Sequence, residues 1–181
     1  MNDLPPLVRV ERDALVAEIE AAFDGVSREG GVSWSTAAVA DACGAWPLEP
    51  EHDMRWQDLV DDLNWKPSPG LGGFAFLDAI GFRYYLPVQM TRCVRDGWDD
   101  GNISIGWRLG GTEEGASDQD KQRWSLLDLR QRLCVKRFLQ YMNVVNPVDT
   151  LGIATHDPSQ WQTALDNYWN DVPDEPTAFR R

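Results

Sequence analysis

Phe74-Ala75-Phe76-Leu77-Asp78-Ala79-Ile80-Gly81-Phe82-Arg83-Tyr84-Tyr85-Leu86-Pro87 sets two β-prone runs, Phe74 to Leu77 and Phe82 to Leu86, around four turn-competent residues. Asp78 opens that connection and Gly81 closes it, the chemistry of a type I turn ended by a left-handed glycine. The pattern predicts a β-hairpin, with Pro87 starting a helix that runs to Asp96 and stops at Gly97. Ile103, Ile105 and Trp107 alternate with Ser104, Gly106 and Arg108, which predicts a third strand over 103–109.

Outward from this sheet the periodicity turns helical. Leu15, Val16, Ile19, Ala22 and Phe23 form one stripe between Glu11 and Phe23, with Gly25 as a stop. A shorter helix follows, with Ser35 as its cap, Val39, Ala42 and Cys43 facing inward and Gly44 ending it. Pro47 and Pro50 then enforce a loop. Between Glu51 and Leu63, Trp56, Leu59, Val60 and Leu63 share one face and Asp58, Asp61 and Asp62 the other. Gly110 to Asp120, with Glu113, Glu114, Asp118 and Asp120 and no basic residue, reads as an exposed, mobile loop. Ser125-Leu126-Leu127-Asp128 fits a capping box for a long central helix to Met142, with Leu127, Cys134, Phe138 and Tyr141 on its buried stripe. A last helix is capped by Asp157 and turns Trp161, Ala164, Leu165 and Tyr168 inward. The expected fold class is α+β: a small antiparallel sheet against about five helices, in one globular domain over 1–181 with flexible ends at 1–10 and 172–181.

The 181 residues carry 17 Lys and Arg against 29 Asp and Glu, a net charge of −12. Such a balance repels nucleic acid and anionic lipid, so neither is expected as a direct partner. No apolar run approaches the roughly 18 residues that would span a bilayer, and no secretory leader is legible, so a cytoplasmic protein is expected. Residues 1–62 hold 14 acids and 4 bases, whereas 121–145 hold 1 acid and 6 bases, the latter expected to pair with acidic neighbours. Nine tryptophans point to a core of large aromatics, each buried ring of about 200 Å² contributing on the order of 5 kcal/mol before entropy. Trp98, beside Asp99 and Asp100 in a turn, is instead a candidate contact residue.

Chemistry-bearing motifs are sparse. Glu49, Glu51, His52 and Asp53 read as a solvated helix start, and the other histidine, His156, has no partner ligands in sequence, so no metal is expected. Asp96, Asp100 and Gly101 begin a calcium-loop pattern that fails, because Trp98 and Trp107 occupy ligand places. Gly70-Leu71-Gly72-Gly73 lacks the Lys-Ser/Thr of a phosphate loop. Cys43, Cys93 and Cys134 read as buried thiols, and the predicted buried faces of Cys93 and Cys134 make those two poor nucleophiles. No cofactor and no catalytic residue is therefore assigned.

Phe76-Leu77-Asp78-x-x-Gly81-Phe82-Arg83-Tyr84-Tyr85-Leu86-Pro87, with Arg137 to Tyr141 and the Ala164 to Trp169 segment, resembles an uncharacterised bacterial family of small domains of unknown function. The resemblance covers roughly residues 10 to 170 and implies no catalytic residues. In general look, acidic, Trp-rich and α+β, the chain is also similar to Smi1/Knr4-like immunity proteins. The expected function is a non-enzymatic binding protein, an immunity protein of a toxin–antitoxin kind holding a basic toxin domain. Its contacts would be Asp58, Asp61, Asp62, Trp98, Asp99, Asp100, Glu113, Glu114, Asp118 and Asp120. Two alternatives stand beside it: a carboxylate-based hydrolase with a site assembled from scattered residues, and a DNA-mimicking inhibitor whose carboxylates imitate phosphates.

Overall fold

Asp78 caps a helix and does not open a hairpin. In the computed structural model, which describes residues 6–43, 54–62, 73–96, 102–112, 114–145 and 159–173, its Oδ1 accepts from the Gly81 N–H at 2.8 Å and from the Val32 N–H at 3.0 Å. The Asp78 carbonyl takes the first helical hydrogen bond, from Phe82 N at 2.8 Å. Gly81 is needed for proximity and not for a left-handed turn: a Cβ there would lie 2.3 Å from the Val32 carbonyl oxygen. Gly31 makes the reciprocal approach, since its Cβ would stand 2.7 Å from Cγ2 of Ile80.

Among the described residues the chain is helical and holds no strand. The helices are α1 (Pro6–Ala22), α2 (Trp34–Asp41), α3 (Trp56–Val60), α4 (Ala79–Asp96), α5 (Asn102–Arg108), α6 (Asp118–Arg123), α7 (Leu129–Val145) and α8 (Gln160–Asn167). Three short 3₁₀ turns join them at Gly73–Phe76, Trp124–Leu126 and Trp169–Asp171. The expected α+β fold is thereby overturned: the first run of the predicted hairpin is a 3₁₀ turn, the second is the interior of α4, and the predicted 103–109 strand is α5.

Burial explains the misreading. Phe82, Tyr84, Tyr85, Leu86, Val88, Met90, Cys93 and Val94 are all buried on α4, which packs against α1, α3, α5, α6, α7 and the Trp124–Leu126 turn. A helix covered on every side has no polar face, so its sequence loses the 3.6-residue period and shows only its aromatic and β-branched content. Pro87 sits in mid-helix, where it removes one N–H from the ladder instead of starting a helix. Ile105 in α5 and Leu109 just beyond its end are buried four apart, while Trp107 is 47% exposed.

Aromatic rings key the elements together. Trp34 meets Phe74 edge-on at 5.3 Å and Tyr85 at 5.2 Å, and Phe74 meets Phe82 at 5.4 Å, joining α2, the 73–76 turn and α4. The Tyr85 hydroxyl accepts from Trp34 N at 3.0 Å, and the Tyr84 hydroxyl donates to the Met54 carbonyl at 2.6 Å. A second cluster unites Trp124, Tyr168 and Trp169. Its indole N–H groups donate to the carbonyls of Arg108 and Leu109. Gln131 braces α1, α4 and α7: its Nε2 donates to the Ala22 carbonyl and its Oε1 accepts from Arg83 and from Asp128 N. Asp128 caps α7 through Gln131 N at 2.8 Å, so the capping pair lies three residues beyond the Ser125 start expected from sequence. Likewise Ser33, not Ser35, caps α2, and Ser159 caps α8, with Asp157 outside the described residues.

Far-UV circular dichroism is expected to be dominated by the helical double minimum. Replacing Asp78 with Ala orphans two backbone donors and is expected to cost about 2 kcal/mol in denaturant unfolding. Gly81→Ala is expected to cost at least as much, because the atom it meets is backbone.

Candidate functional site

Asp24, just past the end of α1, lies beside the start of α3. The Trp56 indole donates to the Phe23 carbonyl at 2.9 Å, which docks α3 beside Asp24. Arg55 then lies within the fields of both Asp58 and Asp24, and its pKa is raised first by the hydrogen bond to Asp58, at 3.2 Å, and then by those charges. Asp61 pairs with Arg95 at 3.0 Å across the α3–α4 contact. Arg92 closes the C-terminal end of α3, donating to the carbonyls of Leu59, Val60 and Asp62. Asp24, Asp58 and Asp61 are exposed and Asp62 is half-buried, so Asp24 joins the set that sequence spacing assembled on α3 alone. Sequence reading missed it because Asp24 follows α1 and meets α3 only through the Trp56 anchor. Exposed pairs of this kind are weak and screened by solvent, so their carboxylates can exchange partners with an incoming base.

The loop expected over 110–120 is not irregular throughout: among its described residues its end is the start of α6 (Asp118–Arg123). Asn167 Nδ2 holds the carbonyls of Gly110 and Thr112 at 2.8 and 3.0 Å, and Ser117 caps α6 with a capping box closed by Asp120. Glu114 and Asp118 are exposed, the latter 3.9 Å from Lys121. Asp120 is only 8% exposed and is committed inward. Its Oδ2 accepts from the Ser117 hydroxyl at 2.6 Å and its Oδ1 from Arg123 Nη1 at 3.1 Å. Arg123 donates in turn to the carbonyls of Leu77 and Ala75, tying α6 to the segment that feeds α4. Burial lowers the pKa of this guanidinium, and Asp120 opposes that shift. Asp120 is thus a structural clasp, out of a partner's reach. Trp98, Asp99, Asp100 and Glu113 lie outside the described residues, as do His52 and His156.

The basic run is divided by role. Arg137 reaches Glu18 on α1 at 2.7 Å, while buried Lys136 donates to the Val172 carbonyl at 3.1 Å and Arg132 to the Leu127 carbonyl at 2.9 Å. Among the described residues no three of His, Cys, Asp and Glu come together as a metal could require. Cys93 and Cys134 are buried, and burial, aided by Glu18, pushes the Cys134 thiol well up. Cys43, expected inside, is exposed with a φ of 50°. No described helix is long and apolar enough to cross a membrane.

The molecule is therefore an all-helical protein, over its described residues, with paired acids at its surface and the buried cations Arg123 and Lys136 donating to backbone carbonyls. It belongs to a family of unknown function (DUF6714), whose model matches residues 11–172. Comparison with curated proteins and with solved structures finds no match.

Asp120→Ala is expected to destabilise the fold by about 3–5 kcal/mol, since it strands a buried guanidinium. Asp118→Ala should change stability by less than about 0.5 kcal/mol in the same denaturant titration. In the native protein an alkylating reagent should modify Cys43 and spare Cys93 and Cys134, with all three labelled after denaturation. The fold keeps the Cys134 proton that the unfolded chain releases near 9.0, and burial holds up the Tyr141 hydroxyl as well. Stability should therefore be intact below that pH and fall as pH rises beyond it, read as a lower denaturation midpoint at about pH 10 than at about pH 8.

Proposed function

We propose that this chain is a non-enzymatic binding protein that holds a basic polypeptide against its acidic exterior, as a bacterial immunity protein holds a toxin domain. The observation that carries the reading is the gathering of Asp24, Asp58, Asp61 and Asp62 around α3 in a chain of net charge −12. The exposed carboxylates of Asp58 and Asp61, ion-paired with Arg55 and Arg95, can be recruited by a partner's Lys or Arg side chains, and the surplus negative field speeds encounter with a basic surface. Glu114 and Asp118 extend the proposed contact set, and Asp120 is removed from it. The likeness to Smi1/Knr4-like immunity proteins was one of α+β architecture, and the helical fold lends it no support. The proposal stands on charge and exposure.

The test is a pull-down from the host's lysate at low and at about 0.5 M salt, followed by titration with the purified partner. A single basic polypeptide should be retained at low salt, and Asp58→Asn/Asp61→Asn/Asp62→Asn should slow its association at least about tenfold. Unchanged association in that variant, or affinity indifferent to salt, overturns the assignment.

A further inference from the structure

A cleft of about 350 Å³ opens between the start of α7 and the turn that follows α8. Leu127, Leu129, Val172 and Pro173 give it apolar walls, and Arg132, Tyr168 and Asp171 complete its lining. Two constraints keep it in shape. Lys136 fixes one wall through the Val172 carbonyl at 3.1 Å, and the Tyr168 ring is wedged against Trp124 at 4.8 Å and Trp169 at 5.2 Å.

Arg132 Nε is anchored on the Leu127 carbonyl at 2.9 Å, and among the described residues no ion pair takes up its terminal nitrogens. Among the described residues the Tyr168 hydroxyl and the Asp171 carboxylate have no ion-pair or hydrogen-bond partner either. Arg132 and Asp171 carry opposite charge, line one small cleft, and are not paired with each other.

The geometry points to a binding site for a small zwitterion of the amino-acid class. Its carboxylate would lie on the terminal nitrogens of Arg132, its ammonium on Asp171, and its apolar body against Leu127, Leu129 and Val172. A simple anion meets repulsion from Asp171 and a simple cation meets repulsion from Arg132, so one molecule carrying both charges satisfies the site best. The volume sits at the lower end of the roughly 300–1,000 Å³ usual for small-molecule sites, which suits a single amino acid. The site is independent of the proposed acidic contact surface and stands or falls without it.

The experiment is a ¹⁵N NMR titration of the full chain with four probes: L-leucine, 6-aminohexanoate, 4-methylpentanoate and 3-methylbutylamine. The Trp124 and Trp169 indole N–H signals report directly, since both rings contact Tyr168. One or both zwitterions should shift these signals and bind at least about tenfold more tightly than either singly charged analogue. Which zwitterion binds better measures the charge spacing of the site. Asp171→Asn and Arg132→Gln, each checked for an unchanged unfolding midpoint, should weaken that binding about tenfold. The proposal is overturned by absence of shifts at about 10 mM probe, by 4-methylpentanoate or 3-methylbutylamine binding as well as the zwitterions, or by Asp171→Asn binding like the parent protein.

Discussion

Everything else in this fold waits on one crossing of backbone over backbone. The 31–33 segment runs against the first turn of α4 so closely that only glycine fits at positions 31 and 81. A single carboxylate oxygen of Asp78 serves donors from both sides of that crossing. A backbone N–H buried without an acceptor costs about 1–3 kcal/mol, so the crossing is tenable only with that carboxylate in place. Once it is set, Phe82, Tyr84 and Tyr85 project into the interior, and α1, α2 and α3 have a surface on which to pack.

The sequence was legible where a helix keeps one wet side. Leu15, Ile19, Ala22 and Phe23 on α1, Cys134 and Phe138 on α7, and Trp161, Ala164 and Leu165 on α8 are buried as their spacing required. It was illegible where a helix is enclosed. Phe82 to Leu86 has the composition of a strand, and Pro87 inside a helix violates the strongest local rule, yet burial of the whole run against six neighbouring elements outweighs both. The Asp78 to Gly81 spacing was recognised as special, but the same two residues serve a turn and a capped close approach equally well. Only the distant Val32 distinguishes them, and its contact across the chain leaves no mark on the local pattern.

Charge was legible as a total and not as an arrangement. Counting located the acidic surplus in the first third, and α3 did present Asp58 and Asp61 outward. The count could not foresee that Arg55 and Arg95 would sit beside them, nor that Ser117 and Asp120 form a capping box inside what looked like a glycine-rich loop. The capping-box spacing was present in the sequence, but the three glycines before it outweighed it.

The cations and the anions do different work here, and the difference has a physical source. Helix ends and turns leave carbonyl oxygens unpaired, and only a donor can satisfy them. Arg28, Arg92, Arg123, Arg132 and Lys136 all donate to backbone carbonyls. A carboxylate cannot substitute in that role, and among the described residues Asp120 is the one buried acid, held there by Arg123. Folding thus draws positive charge toward the interior and leaves negative charge outside. Among the described residues the buried ionic groups are Arg123, Lys136 and Asp120, so burial removes more positive than negative charge from the surface they leave.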